Sequence, residues 1–381
     1  MANIMATAAP QRATDSSTAA PTAVVPFVRA SAEHRESTLD ITRQITTSDQ
    51  DLGIMDVNAY GWLRSLFVVV TATGGTGAGV TAKADSPFSA LKGISLSEPN
   101  GAVIHSFENG YDLAMAGNKY GGFRNPLGSD PRQSPVFSAP AGTSGNFSYA
   151  VRIPVEINPR DGLGSLANQN SAATFKLRLT LAKASEIYGT VPTTLPNVRI
   201  QVWLEAWDQP EASVAGQANA LQPPAPDTTQ YFSSQVINFN AGFQTIPLKR
   251  VGNYIRALTF ITRDAAGARA DLMPSPATLY LDTRPIDMFD SVNLKTQMFE
   301  RTGYGRALGS VVPALDSPGG LDTGVYTYDF AHEVNGQVGY EMGDLWLPTQ
   351  TSTRLELQGT FSAPGSLRII TNDIALSQPV W

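Results

Sequence analysis

Three groups of residues in this sequence have types and spacings that could do chemistry. The first is the run TATGGTGAGVTAK, Thr71 to Lys83, which follows the apolar stretch WLRSLFVVV. An apolar strand, a glycine loop and a lysine form the outline of a phosphate-binding loop. Such a loop needs Gly, four residues, then Gly-Lys-Ser/Thr, so that backbone N–H groups and the lysine reach the phosphates together. Here Val80, Thr81 and Ala82 separate Gly79 from Lys83, and Ala84 follows the lysine. Pro87 comes soon after and no helix opens there, so no helix N-terminus would face an anion. The glycines read as turn material.

The second group is acidic. Glycoside hydrolysis needs two carboxylates facing each other about 5–10 Å apart. Glu156 and Glu205 lie on strand-like stretches, and Trp203 and Trp207 beside Glu205 resemble a sugar platform. The plainer reading is that these are outward positions of half-buried strands, with the aromatics packed in a sheet or at a subunit interface. Asp161, in PRDGLG, lacks the oxygen-rich spacing of a calcium loop and reads as a turn.

The third group is basic. His34, His105 and His332 show no HxH or HExxH spacing, so no metal site is expected. His34 is expected in solvent, and His105 follows a hairpin turn. No cysteine is present and no GxSxG elbow occurs, so no catalytic residue and no cofactor site is expected. Arg64 and Arg256 fall at matching places in two similar segments. Either they pair with carboxylates, or they snorkel at a strand edge.

These residues must be positioned by β-structure. Of 381 residues, 16% are charged, against about a quarter in an average domain. With 33 Gly and 26 Pro, turns are frequent. The net charge of −6 gives no case for sequence-specific nucleic-acid binding. The absence of cysteine excludes disulfides and thiolate metal sites. No apolar run approaches the roughly 18–20 residues of a membrane span. The N-terminus shows no signal-peptide pattern, so no secretion is expected.

Residues 1–44 read as a flexible arm rich in Ala, Thr, Ser and Pro. Within it AVVPFVR, Ala23 to Arg29, could anchor in a partner groove or on a lipid surface. Thereafter strand signals recur. TFKLRLTLAK puts Phe175, Leu177, Leu179 and Leu181 on one face, and VRIQVWLEAW does the same with Val198, Ile200, Val202 and Leu204. Glu98-Pro99-Asn100-Gly101 reads as a tight turn between two short strands.

The chain then reads twice. Trp62-Leu63-Arg64-Ser65-Leu66 matches Tyr254-Ile255-Arg256-Ala257-Leu258, each followed by a β-run and a small-residue turn. In the second copy the glycine loop becomes Arg263-Asp264-Ala265-Ala266-Gly267. Later come SFENGYDLAMAGNKYGG and MFDSVNLKTQMFERTGYGR, each ending in Tyr-Gly before a Pro/Gly/Ser-rich loop. A divergent internal duplication accounts for this order. The fold class expected is all-β, with two tandem eight-stranded jelly-roll sandwiches, short helices and long loops. Roll 1 is expected over 45–235 and roll 2 over 236–381, joined through the Pro-rich stretch 208–230.

This arrangement resembles the double jelly-roll major capsid proteins, most of all those of tectiviruses, membrane-containing bacteriophages related in architecture to the adenovirus hexon. The likeness rests on LRSLFVVVTATG as a first roll strand, on RIPVEINPRDGLGSLANQNSAATFKLRLTL (152–181), and on TGVYTYDF (323–330) as a late strand. It implies a structural, non-enzymatic protein of an icosahedral virion. Homotrimers would form pseudo-hexagonal capsomers contacting neighbouring capsomers and minor or penton proteins. Loops 122–145 and 208–230 would form towers or subunit contacts. The arm would face inward, toward an internal membrane, or clamp neighbouring trimers. Synthesis would be in the host cytoplasm. The long C-terminal extension of the relatives is not seen after SLRIITNDIALS, which leaves any locking role to the arm. The alternative is a two-domain jelly-roll carbohydrate-binding protein or glycosidase, with Glu156 and Glu205 as its carboxylates.

Overall fold

Alternating apolar and polar residues flanked by Gly, Pro and Asn give short strands that must bury one face. In the computed structural model, which describes residues 23–117, 136–137, 145–289, 323–330 and 346–375, that pattern yields two sandwiches. Sixteen strands of five or more residues occur among the described residues. The first eight are β1 (Glu33–Gln44), β2 (Gln50–Asp56), β3 (Trp62–Thr73), β4 (Leu91–Ser97), β5 (Val103–Asn109), β6 (Phe147–Pro154), β7 (Lys176–Leu181) and β8 (Asn197–Trp207). The second eight are β9 (Gln230–Phe239), β10 (Gly242–Leu248), β11 (Tyr254–Asp264), β12 (Ala277–Leu281), β13 (Arg284–Phe289), β14 (Val325–Asp329), β15 (Leu355–Phe361) and β16 (Gly365–Ile374).

The two sets have one topology. Roll 1 pairs in the orders β1-β8-β3-β6 and β2-β7-β4-β5, and roll 2 in the orders β9-β16-β11-β14 and β10-β15-β12-β13. Adding eight to each strand number converts the first pair of orders into the second. This is the jelly-roll strand order, made twice. The matched segments of the sequence, Trp62–Leu66 and Tyr254–Leu258, open the third strand of each roll. Each fourth strand is entered shortly after a cis Ser–Pro bond, Ser86–Pro87 and Ser275–Pro276.

The two rolls share a sheet. β5, at the edge of roll 1, lies parallel to β9, at the edge of roll 2, with His105 opposite Phe232. The order β2-β7-β4-β5-β9-β16-β11-β14 therefore runs unbroken through both sandwiches. Each roll has its own apolar core. One holds Val68, Val70, Ile94, Val151, Leu177 and Val202, the other Leu258, Phe260, Leu279, Leu357 and Ile369. Fully burying each such side chain contributes about 1.5–3 kcal/mol. Roll 1 also overlaps roll 2. Leu113 and Met115, in the short helical segment after β5, belong to the same apolar cluster as Phe232, Ala257, Ile261, Val325 and Ile370 of roll 2.

Two boundaries and one strand assignment differ from the sequence reading. The arm expected over 1–44 gives way at Glu33 to β1, which pairs along its length with β8. LRSLFVVVTATG is consequently the third strand of roll 1 and not the first. The expected junction at 235/236 falls inside β9. The short helix expected before a long loop is present in roll 1 at 110–117. Its counterpart in 290–305, and most of loop 122–145, lie outside the described residues.

Candidate functional site

The repeated arginines mark a repeated construction. Arg64 is the extra residue of a β-bulge, since β8 pairs with Leu63 and Ser65 on either side of it. Arg256 is the extra residue of the matching bulge, between Ile255 and Ala257 against β16. A bulge re-aims a side chain. Arg64 reaches Glu156 (Nε to Oε2, 3.0 Å) and Glu33 (Nη1 to Oε1, 2.9 Å), with its guanidinium 3.9 Å from the centre of the Trp207 ring. Arg256 is fully buried and donates from Nη1 to Gln230 Oε1 at 3.0 Å. Glu33 and Gln230 are the first residues of β1 and β9. In both rolls, then, the bulge arginine of the third strand holds the start of the first. Of the two sequence readings, the ion pair holds for Arg64 and snorkelling holds for neither.

The two arginine centres are joined. Gln230 donates from Nε2 to the backbone carbonyl of Glu156 at 2.7 Å, and Thr229 donates to that of Val155 at 3.1 Å. The Glu156 side chain accepts from Trp207 Nε1 at 2.6 Å and from Ser165 Oγ at 3.3 Å. Burial pushes its pKa up, and Arg64 is foremost among the groups that pull it back. Glu205 belongs to a different cluster, with Arg152 (2.9 Å), Ser65 Oγ (2.5 Å) and Arg35. Burial opposes its charge, but Arg152, Ser65 and Arg35 outweigh that and hold its pKa below the ordinary value. The structure thus places Glu156 and Glu205 in two separate ion-pair centres, each saturated by its own partners. Trp207 is buried at 5% exposure, which removes it as a sugar platform, while Trp203 stays partly exposed on the outer sheet face.

A cleft of about 570 Å³ opens between the rolls, lined among others by Lys83, Asp85, Lys92, Arg263, Arg269 and Arg368. Its side chains clamp one roll to the other. Asp85 of roll 1 accepts from Arg263 (2.5 Å) and Arg269 (2.7 Å) of roll 2. Arg269 also donates to the Ala84 carbonyl at 2.9 Å and lies 4.7 Å from the centre of the Tyr111 ring. Arg368, on β16, reaches Asp112 and Glu108 of roll 1, both at 2.6 Å. Lys92 is held by Asp49 and Glu186. These contacts are charge-assisted and partly buried, so each fixes geometry more firmly than an exposed ion pair does.

No family model and no curated protein matches this sequence. Solved structures do match. The STIV MCP aligns with a TM-score of 0.59 at 13% identity, over 91% of this chain and 97% of that one. The major capsid protein P2 of bacteriophage PM2 aligns with a TM-score of 0.50 at 12% identity, over 91% and 98%. The PBCV-1 virus capsid aligns with a TM-score of 0.54 at 11% identity, over 90% and 93%. The fold is the double jelly roll of viral major capsid proteins. The resemblance read from the sequence stands at the level of fold.

Within this double jelly roll the remaining sequence candidates have structural places. The glycine run connects β3 to β4. Gly74 and Gly79 take φ of +79° and +67°, and a Cβ on Gly77 would lie 2.8 Å from the Thr193 backbone nitrogen. The run is a turn fitted against a neighbouring loop. Asp161 accepts from the Leu163 amide at 2.9 Å, which makes it a turn residue as read. His34 is not in a solvated arm but in β1, stacked on Tyr60 with ring centres 3.6 Å apart. His105 is fully enclosed at the seam. His332 lies outside the described residues. Among the described residues no group of three His, Asp or Glu is placed to hold a metal, and no helix is long and apolar enough to cross a membrane.

The seam residues Asp85, Asp112, Arg263, Arg269 and Arg368 were not singled out by motif. One signal pointed to them. In a chain so poor in charge, Arg263 and Arg269 flank the loop where the first copy has only small residues.

The apolar island Ala23–Arg29 is anchored on its own chain. Phe27 is 2% exposed, edge-on to Trp62 (5.9 Å) and Trp207 (6.5 Å). The Val25 amide bonds to Ala218 O at 2.9 Å, so stretch 208–230 provides the dock. Each aromatic pair contributes about 0.5–1.5 kcal/mol beyond its burial. Phe27→Ala is therefore expected to speed hydrogen exchange over residues 23–32 at least about tenfold, with the unfolding midpoint of the rolls little changed. Unchanged exchange would show that the backbone bonds hold the segment without the ring.

Proposed function

We propose that this chain is a major capsid protein and acts by self-association rather than catalysis. Three copies form a pseudo-hexagonal capsomer, and capsomers tile an icosahedral shell around an internal membrane. The observation that carries this reading is the duplication itself. Two rolls of identical strand order, sharing one sheet and clamped by Arg263, Arg269 and Arg368, form two of six similar lobes. Three such chains present six nearly equivalent sides, which is what a hexagonal tile requires. The match over about nine-tenths of the chain to capsid proteins supports it.

The capsomer contacts neighbouring capsomers and minor or penton proteins, each contact modest and effective by repetition. In the assembled shell the N-terminal arm meets lipid or clamps a neighbouring capsomer. The chain is made in the host cytoplasm and resides in the virion. The glycosidase reading has no observation in its favour, because Glu156 and Glu205 are each committed to arginine. Sedimentation equilibrium of the purified protein tests the proposal. The expected mass is three times 40.6 kDa at micromolar concentration. A monomer throughout that range would overturn it.

A further inference from the structure

The relation between the rolls is open at both ends. Inside the chain, edge strand β5 of roll 1 lies beside edge strand β9 of roll 2. Their counterparts are β13 and β1. Each forms the outer edge of its sheet, and among the described residues neither has a strand beyond it. We propose that β13 of one copy docks against β1, and against the adjoining outer face of the β1-β8-β3-β6 sheet, in a second copy. The relation is the one β5 has to β9. This rests on the capsomer reading, in which three copies close a ring, and it names the surfaces that meet.

Residue correspondence makes the contact specific. In roll 1, Leu96 pairs with His105 and Ile94 with Phe107; in roll 2, Leu279 pairs with Asp287 and Ala277 with Phe289. Phe107 and Phe289 are both buried core residues, so Asp287 stands where His105 stands. On the other side, Phe232 pairs with Asn372, which pairs with Ala257 just past the Arg256 bulge. Arg35 pairs with Glu205, which pairs with Ser65 just past the Arg64 bulge. Arg35 therefore stands where Phe232 stands. His105 and Phe232 face each other within the chain, so Asp287 faces Arg35 between copies. The uncharged pair becomes an acid opposite a guanidinium, of opposite charge. This contact is added to those each makes within its chain, Arg35 with Glu205 and Asp287 with the Tyr328 hydroxyl.

Burial supports the same conclusion. The outer face of the roll 2 sheet carries Phe232, Ala257, Ile261 and Ile370, all buried under roll 1. The equivalent positions of roll 1 are Arg35, Ser65, Val69 and Trp203. Arg35 is exposed, and Val69 and Trp203 are partly exposed. His105 is fully covered, whereas Asp287 is only partly so. The outer face of roll 1 and the edge of roll 2 are thus the two halves of a seam already made once.

The chain contains no cysteine, so an engineered pair reports without background. In the double variant R35C/D287C, mild oxidation is expected to give covalent dimers and trimers on a non-reducing gel, with none from either single variant. The two positions lie in different sheets, and a bond within one chain would run as a monomer on the gel, so only a bond between copies gives the larger species. A wild-type trimer whose double variant yields only monomers would overturn the docking and leave the capsomer reading intact. A wild-type monomer would remove both. Trp203→Glu, at a partly exposed position, provides a second reading without crosslinking. It is expected to weaken self-association at least about tenfold, and an unchanged association constant counts against the docking.

Discussion

Acid is expected to unfold this protein through His105, and His105→Phe is expected to blunt that sensitivity. The ring is fully buried at the seam, 5.3 Å from the Phe232 ring and 6.3 Å from that of Phe107, and neither nitrogen makes a well-formed hydrogen bond. Burial pushes its pKa from 6.5 down to about 3, with the backbone at Pro154 and Ile104 opposing weakly. Below pH 6.5 the unfolded chain takes up a proton that the folded chain refuses. Stability is therefore complete above pH 6.5 and is lost as pH falls toward 3. The full interval corresponds to about 5 kcal/mol, of which about 3 kcal/mol is gone by pH 4. Urea denaturation of both proteins between pH 7.5 and 4 measures this. The wild-type curve should fall more steeply, and parallel curves would contradict the account.

Breaking the seam clamp is the second large effect. Asp112 is fully buried and relies on Arg368 across the roll boundary. Burial raises the Asp112 pKa to about 6, with Arg368 pulling it back, so the carboxylate is mostly ionised at pH 7.5. Arg368→Ala leaves that charge buried without its cation, at a cost of about 3–5 kcal/mol. The sign of the pH dependence follows. Asp112 binds a proton more readily folded than unfolded, so its penalty is present above pH 6 and is relieved as pH falls below it. The deficit of Arg368→Ala should accordingly shrink between pH 7.5 and 5. The double variant D112L/R368M, which removes both charges, should recover much of the stability. A single variant as stable as wild type at pH 7.5 would show that the Asp85 pairs with Arg263 and Arg269, with the overlapping core, suffice to hold the rolls.

Strands with clean alternation were legible in the sequence. The inward faces of β7 and β8, the turn at Asn100-Gly101 and the equivalence of β3 with β11 all follow from apolar spacing and one repeated arginine. β1 was not legible, for two physical reasons. It is an edge strand with exposed residues on much of its length, so EHRESTLDITRQ offers only Leu39 and Ile41 as apolar markers. The β8 pairing also shifts register between Ser37 and Leu39, which breaks the period-two phase. The start of β9 was hidden similarly, because Gln230 is buried for its hydrogen bonds to Arg256 and Glu156 and not for apolarity. The carboxylates Glu156 and Glu205 were found by type but not by role, since their arginine partners are distant in sequence. Arg64 lies 92 residues from Glu156 and Arg35 lies 170 from Glu205. Such pairs are set by strand order, which local pattern does not encode.

The most direct test of the central claim is negative-stain electron microscopy of the purified protein with two-dimensional averaging. Three copies of a duplicated roll should give flat particles whose end-on averages show six lobes around a centre, with three-fold symmetry and near six-fold outline. Averages showing only isolated two-lobed particles would contradict the claim that the duplication exists to build a hexagonal tile.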